Sequence, residues 1–574
     1  MMKSQSHHNI FRMVILSLLF LPFSLNGKAE GHQDSMLPGL GGWHSVPVLT
    51  VGDYLPSTDR NALGGRYQPV GKMDGLGAMV LDDQAVRVFV NHELPPDAGY
   101  PYRLRNETLL SGARVSFLDF DRNTRKIINS GLAFDTVIDR QGQMVTHARQ
   151  INQTQEQEFG FSLLCAAQLV EAGHDGFVDT IFFTHEEVPD PIAHPYGGSL
   201  WALDVVTQRL YAVPVAGRMA WENTAALQIG GERVALLIGD DTSPQSTEPH
   251  AFGQKATSET LPRDVVAAPL WLYVGKKNAS LYEIRERLPW GINVPDADFL
   301  NRNGLLVGDL YYFVADHGTT TVDGFHGTGK RLPGKWIKLA VRDSAQTGKP
   351  GYDEWGYKNG LTLRQEAKAG GAFQFSRPED VTTHPYIGTR AVLASTGRDT
   401  VFPHDAWGTL YQVDVDFDSM SALLTILYDG DDAGGGQVPG PDFGIRNPDN
   451  INWADDGFIY VQEDMAKSIP PWFGGQSHEE ASVWQLEPLK GTIQRVARMN
   501  RSILLPQGVT DSLANVMGAW ESSGILDVTH LFEHHPGEKL FLVTIQAHSV
   551  QDGLIAKANL FEGGQLVWLS KKGY

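Results

Sequence analysis

Six times along the chain, a short aromatic-rich apolar run gives way to polar turn residues. The copies begin at Val115 (Val-Ser-Phe-Leu-Asp-Phe-Asp-Arg), Gly198 (Gly-Ser-Leu-Trp-Ala-Leu-Asp-Val) and Pro269 (Pro-Leu-Trp-Leu-Tyr-Val-Gly-Lys). The others begin at Gly334 (Gly-Lys-Trp-Ile-Lys-Leu-Ala-Val), Gly408 (Gly-Thr-Leu-Tyr-Gln-Val-Asp-Val) and Ser482 (Ser-Val-Trp-Gln-Leu-Glu). Runs of this kind, bounded by Gly, Asp, Asn and Pro, read as β-strands. Helical periodicity is weak almost everywhere, so the expected class is all-β. The copies lie roughly 65 to 85 residues apart, whereas a propeller blade takes about 40 to 50. The expected architecture is therefore a six-bladed β-propeller with long inter-strand loop insertions, with a pair of β-sandwiches as the alternative. Stretches such as Asp429 to Pro441, Pro189 to Gly198 and Ser243 to Arg263 are rich in turn residues and read as loops.

The N-terminal segment reads differently. Lys3 and Arg12 precede an apolar run of 13 residues, Met13 to Leu25, too short to span a bilayer. Gly27-Lys28-Ala29 places small residues where a signal peptidase cuts. Residues 1–29 are thus expected to be a Sec-type signal peptide, and residues 30–574 one propeller domain that is periplasmic or extracellular. Removing Lys3, Arg12 and Lys28 would take the formal net charge from −20 to −23. Such acidity, with no basic block, excludes nucleic acid as a partner, because phosphate neutralisation needs clustered Lys and Arg. No other apolar run is long enough for a membrane span. The sequence does not give the oligomeric state.

Several catalytic signatures are missing. Gly324 to Lys330 has phosphate-loop spacing, but Arg331 stands where the magnesium-binding hydroxyl belongs. No G-x-S-x-G and no H-E-x-x-H occurs. The Asp-rich loop near Asp431 lacks the twelfth-position glutamate of an EF-hand.

The acids at strand ends carry more information. Asn91-His92-Glu93, His185-Glu186-Glu187, Asp240-Asp241 and Glu463-Asp464 each close an apolar run. Arg377-Pro-Glu379-Asp380 and Asn447-Pro-Asp449-Asn450 add two more clusters. A propeller would gather such ends around one channel, where so many carboxylates cannot all stay ionised without cations. Oxygen donors suit hard ions such as Ca²⁺. Arg377 has the planar fork that fits a phosphate. The single cysteine, Cys165, is either a small buried hydrophobe or a thiolate ligand for a softer metal.

This collinear series, extended by Gly217-Arg-Met-Ala-Trp-Glu222, Glu521-Ser-Ser-Gly and Ile545-Gln-Ala-His548, resembles the PhoX-type alkaline phosphatases. The resemblance spans roughly Gly71 to Ser549. It implies a six-bladed propeller that hydrolyses phosphate monoesters with two ferric ions, bridged in part by a thiolate, and nearby calcium ions. Carried over, Cys165 would be that thiolate. Glu93, Glu187, Glu222 and Glu379 would be metal ligands, with Glu186, Asp449, Asn450 and Glu463 as further candidates. Arg377 would bind the phosphoryl oxygens of a small-molecule phosphoester. The chain departs from the family pattern at Leu164, Ala167-Gln168, Trp221 and His174 to Asp179. A calcium-stabilised propeller that binds without hydrolysing is the alternative function, and another metal-dependent propeller hydrolase a third.

Overall fold

The computed structural model describes residues 34–152, 160–189, 196–243, 266–288, 297–398, 401–467, 469–506 and 508–573. The expected signal peptide lies outside them. The described residues are dominated by antiparallel strands, and the longest helix, Gly360–Ala369, has ten residues. None of the described helices is long and apolar enough to cross a membrane.

Six strands form the innermost layer. They are β1 (Met73–Val80), β2 (Leu164–Val170), β3 (Trp221–Leu227), β4 (Pro378–Thr383), β5 (Pro448–Trp453) and β6 (Glu521–Asp527). Each packs on the next in chain order, and β6 returns against β1, so they ring a central channel. Glycine permits the close approach. A Cβ on Gly75 of β1 would lie 2.3 Å from the Ala167 nitrogen on β2, and one on Gly239 would lie 1.8 Å from the Glu379 carbonyl oxygen on β4.

The sheets that radiate from this ring are not the six separate blades expected. Four are independent sheets of four or five strands, led by β1, β2, β5 and β6. Nine further strands form one sheet whose end strands are β3 and β4, and two short hairpins, Leu55–Pro56 with Arg66–Tyr67 and Tyr102–Arg103 with Leu109–Leu110, stand apart. The strand Arg331–Leu339 causes the fusion. It pairs with Gly308–Ala315 on one side and with Ser421–Asp429 on the other. Because β3 and β4 also pack together, the sheet nearly closes into a barrel.

The aromatic copies explain the miscount. Five of them fall on the third strand outward from the channel. The Gly334 copy is the bridging strand. The third strand of the last sheet, Gly563–Lys571, carries Val567-Trp-Leu instead and is not among the six copies. That last sheet is completed from the other end of the chain, by Trp43–Thr50 pairing antiparallel with Gly563–Lys571. The cores lie between sheets, and five buried apolar clusters fill these spaces.

Candidate metal centre

Five of the six inner strands start in the same way, and β6 repeats the pattern one pair in, after Glu521↔Gln546. A residue pairs across to the second strand just before a slip: Met73 with His92, Leu164 with Glu186, Trp221 with Asp240, Pro378 with Ser395, Pro448 with Glu463, Ser522 with Ile545. The register then slips. Three residues advance on the inner strand against two on its partner, as from Met73↔His92 to Leu76↔Val90. Such a bulge bends a strand and re-aims its side chains. The first bulged residues are Asp74, Cys165, Glu222, Glu379, Asp449 and Ser523. The residues just beyond the paired partners are Glu93, Glu187, Asp241, Thr396, Asp464 and Gln546. The candidate ligands come from these two repeated positions.

Three overlapping triads result. Asp74, Glu93 and Cys165 form the first, Cys165, Glu187 and Glu222 the second, and Glu222, Glu379 and Asp449 the third. Within each triad the donor atoms lie within 4.8 Å of one another. The thiol is shared by two triads and the Glu222 carboxylate by two.

The electrostatics are those of crowded, buried acids. Burial first, and then the neighbouring carboxylates, push Asp74, Glu187, Glu222, Glu379 and Asp449 well above the usual carboxylate range. Burial and the charges of Asp74 and Glu222 push the Cys165 thiol up as well. Asp464 is raised to about 8 by burial and by Glu521. A multivalent cation would reverse these shifts, deprotonating the thiol and carboxylates as it binds.

Unused donor capacity fits a metal. Asp74 Oδ1 and Glu222 Oε1 are buried and have no hydrogen-bond partner. Asp74 Oδ2 accepts from Gln546 Nε2 at 2.7 Å, and Cys165 Sγ lies 3.5 Å from the same oxygen. The Asn91 side chain holds the bulge by donating to the Cys165 carbonyl at 2.7 Å, and Thr184 fixes Asn91 in turn.

Glu186 and Glu463 do not join the centre, contrary to expectation. In a strand, neighbouring side chains alternate sides, so the first acid of each pair faces away from the channel. Glu186 accepts from the Trp201 indole at 3.0 Å and the Ser162 amide at 3.2 Å. Glu463 is bound by Arg446, with an Nη2–Oε2 distance of 2.7 Å, and by the Trp484 indole and Ser482 amide at 2.9 Å. Asp240 does the same with Trp271 at 3.0 Å.

Asn450 is also outside the triads. It lines the channel below them, a cavity of about 200 Å³, with Asn223, Asp380 and Asn452. There Asp380 accepts from the Asn223 amide and from the Ile451 N–H at 2.7 Å, tying β3, β4 and β5 together.

Arg377 lies at the rim, immediately before β4. Its Nε and one Nη donate to the two oxygens of Asp241, both at 2.8 Å. The same Nη is 2.7 Å from Glu379, and the other Nη is 3.8 Å from Asp464. Further round, His548 lies between Glu562 at 3.1 Å and Glu521 at 3.5 Å. Burial acts to lower its pKa, but those two carboxylates raise it well above the ordinary imidazole range.

Asp74 is the ligand candidate that the sequence reading does not single out. It opens a strand rather than closing one, with glycine as its neighbour. The register shared with Cys165, Glu222, Glu379 and Asp449 identifies it.

No protein-family model matches the chain, and no curated protein matches it in sequence. Among solved structures, the PhoX of Pseudomonas fluorescens in complex with vanadate, a transition state analogue, matches with a TM-score of 0.57. The match covers 94% of this chain and 97% of that one at 14% identity, which establishes a shared fold. The NanB sialidase of Streptococcus pneumoniae aligns over 90% of this chain and 70% of its own, at 10% identity. Its TM-score is 0.30.

Proposed function

We propose that this chain is a divergent PhoX-type phosphoesterase, exported by a Sec-type signal, that hydrolyses phosphate monoesters at a metal centre in its channel. One observation carries the reading: three donor triads strung together through the shared Cys165 thiol and Glu222 carboxylate, beside a fixed arginine. A mixed thiolate and carboxylate donor set suits iron together with calcium.

Asp74, Glu93, Cys165, Glu187, Glu222, Glu379 and Asp449 would hold the metals. When bound, the metals would polarise the phosphoryl group and supply an oxygen nucleophile at neutral pH. The remaining work belongs to the chain. Asp241 holds one edge of the Arg377 fork, so the other Nη, 3.8 Å from Asp464, is aimed without further ordering. That Nη would clamp a non-bridging phosphoryl oxygen and stabilise the charge that develops there. The bulges hold the acids in place, and the Asn91 amide secures the one that carries the thiol.

A calcium-stabilised binding protein is the second reading. The double engagement of Arg377 by Asp241 and Glu379 favours it, because those carboxylates already use most of the guanidinium.

The test uses the mature protein. Bound iron and calcium are measured, then p-nitrophenyl phosphate hydrolysis is assayed for wild type, Cys165→Ser and Arg377→Ala. The phosphoesterase reading expects bound iron and hydrolysis, with both variants lowered by more than about 100-fold. Calcium without iron, and no turnover after metal reconstitution, would leave the binding protein standing.

A further inference from the structure

The repeated register of the inner strands places a second cation in the frame that holds Arg377. The residue before each first pair sits at the rim. At five of the six strands its carbonyl accepts from the amide just beyond the second strand. These bonds are Glu93 to Lys72 at 2.8 Å, Glu187 to Leu163 at 2.9 Å and Asp241 to Ala220 at 2.9 Å. Thr396 to Arg377 and Asp464 to Asn447 follow, both at 3.0 Å. The rim residues of β1 and β4 are thus Lys72 and Arg377, the two cations of the set. Both have left-handed backbones, with φ of 49° and 65°, as do the equivalent Leu163 and Asn447 at 48° and 43°, so this conformation belongs to the rim frame and the cations are placed by it.

In a ring of six strands the first and fourth face each other, so Lys72 and Arg377 approach the channel from opposite sides. Their electrostatic partners agree. Arg377 acts on Asp241, Glu379 and Asp464. Lys72 acts on Glu93, Glu562 and Cys165, and its charge also reaches Glu187 and Glu521. The two cations therefore divide the rim acids between them. The Lys72 ammonium is 2.5 Å from Glu93 Oε1 and its side chain is 17% exposed, so it is mostly enclosed but not sealed from solvent. An ammonium has three donors. The carboxylate it pairs with belongs to the first triad, whose charge a metal would share.

We propose that Lys72 is a substrate-binding residue, holding a tetrahedral oxyanion from the side opposite Arg377. The ligand class is a phosphate dianion, free or as the end of a monoester. This rests on the phosphoesterase reading and adds a residue to it.

The experiment is titration calorimetry of inorganic phosphate into the metal-loaded mature protein, with iron and calcium measured on every sample. Wild type is compared with Lys72→Met, Lys72→Arg and Arg377→Ala. The proposal expects Lys72→Met to keep its metals and lose at least tenfold in phosphate affinity. Lys72→Arg should recover to within about threefold, which a misfolded variant would not. Wild-type affinity in Lys72→Met overturns the proposal while leaving the parent reading intact. Loss of metal from both Lys72 variants also overturns it, because Lys72 would then serve only to hold Glu93. If wild type loaded with metal binds no phosphate, the parent reading itself falls.

Discussion

Two clusters of buried and half-buried acids stand in this molecule, and they are built on opposite principles. In the loop after Ser421–Asp429, Asp429 accepts from the Gly327 amide at 2.6 Å and the Asp431 amide at 2.9 Å. Asp431 accepts from the Ala406 and Trp407 amides at 2.7 and 2.9 Å. Asp432 accepts from the Thr328 amide and hydroxyl at 2.7 and 2.8 Å. These carboxylates join strands and turns, and none of their oxygens is buried without a partner. In the channel ring, Asp74 and Glu222 keep buried oxygens that nothing in the protein satisfies. Burial raises acids in both places; Asp431 reaches about 6. Burial therefore does not separate a structural cluster from a site. The accounting of hydrogen bonds does, because a buried oxygen left unpaired costs stability unless something else binds it.

The sharpest attack on this contrast is a paired substitution. Glu222→Ala removes the carboxylate that links two triads, and metal affinity should fall by more than about 100-fold, beyond what loss of a supporting contact costs. Asp431→Ala should leave metal content unchanged and cost about 1–3 kcal/mol of stability, because the Ala406 and Trp407 amides lose their shared acceptor. Metal loss in Asp431→Ala would erase the distinction.

A smaller effect separates the two acids at the end of Ile459–Glu463. Glu463→Gln removes the nearer of the two carboxylates that pair with the buried Arg446, leaving Asp442 at 3.3 Å, and should cost about 3 kcal/mol by urea denaturation. Metal content per folded molecule should stay the same. Lowered metal content would return Glu463 to the centre.

The smallest test concerns Asp380, which burial raises to about 7 from 3.8. Below pH 7 the folded state holds a proton that the unfolded state has released. Stability from this group therefore grows as pH falls from 7 toward 4. Between pH 8 and pH 5, metal-free wild type should gain on the order of 2 kcal/mol more than Asp380→Asn. Equal pH dependence would show that Asp380 stays ionised in the folded channel.

Much of the centre is legible in the sequence, because Cys165, Glu187, Glu222, Glu379 and Asp449 sit in short motifs that keep their order. Glu186 and Glu463 are misread for one physical reason. Two adjacent acids in a strand cannot face the same way, and the indoles of Trp201 and Trp484 that claim the first of each pair lie 15 and 21 residues further on. Asp74 is illegible because its significance is a bulge register, which no residue type announces. The sheet count fails similarly. Aromatic alternation marks Arg331–Leu339 as a strand, but nothing local records that it will pair on both edges and fuse two sheets.

The pairing of Trp43–Thr50 with Gly563–Lys571 sets a schedule for assembly. A ribosome delivers the first of these strands long before the second. At about 5–20 residues per second, the gap is roughly half a minute to two minutes. Through that interval the early strand has no permanent neighbour, and its open edge must be kept from pairing elsewhere. The Asp74 and Glu93 end of the donor string waits too, since the Gln546 amide that bonds both arrives only with the last sheet. Chain completion is therefore the clock for this centre, and a chain cut short near its C-terminus forfeits chemistry rooted at its other end.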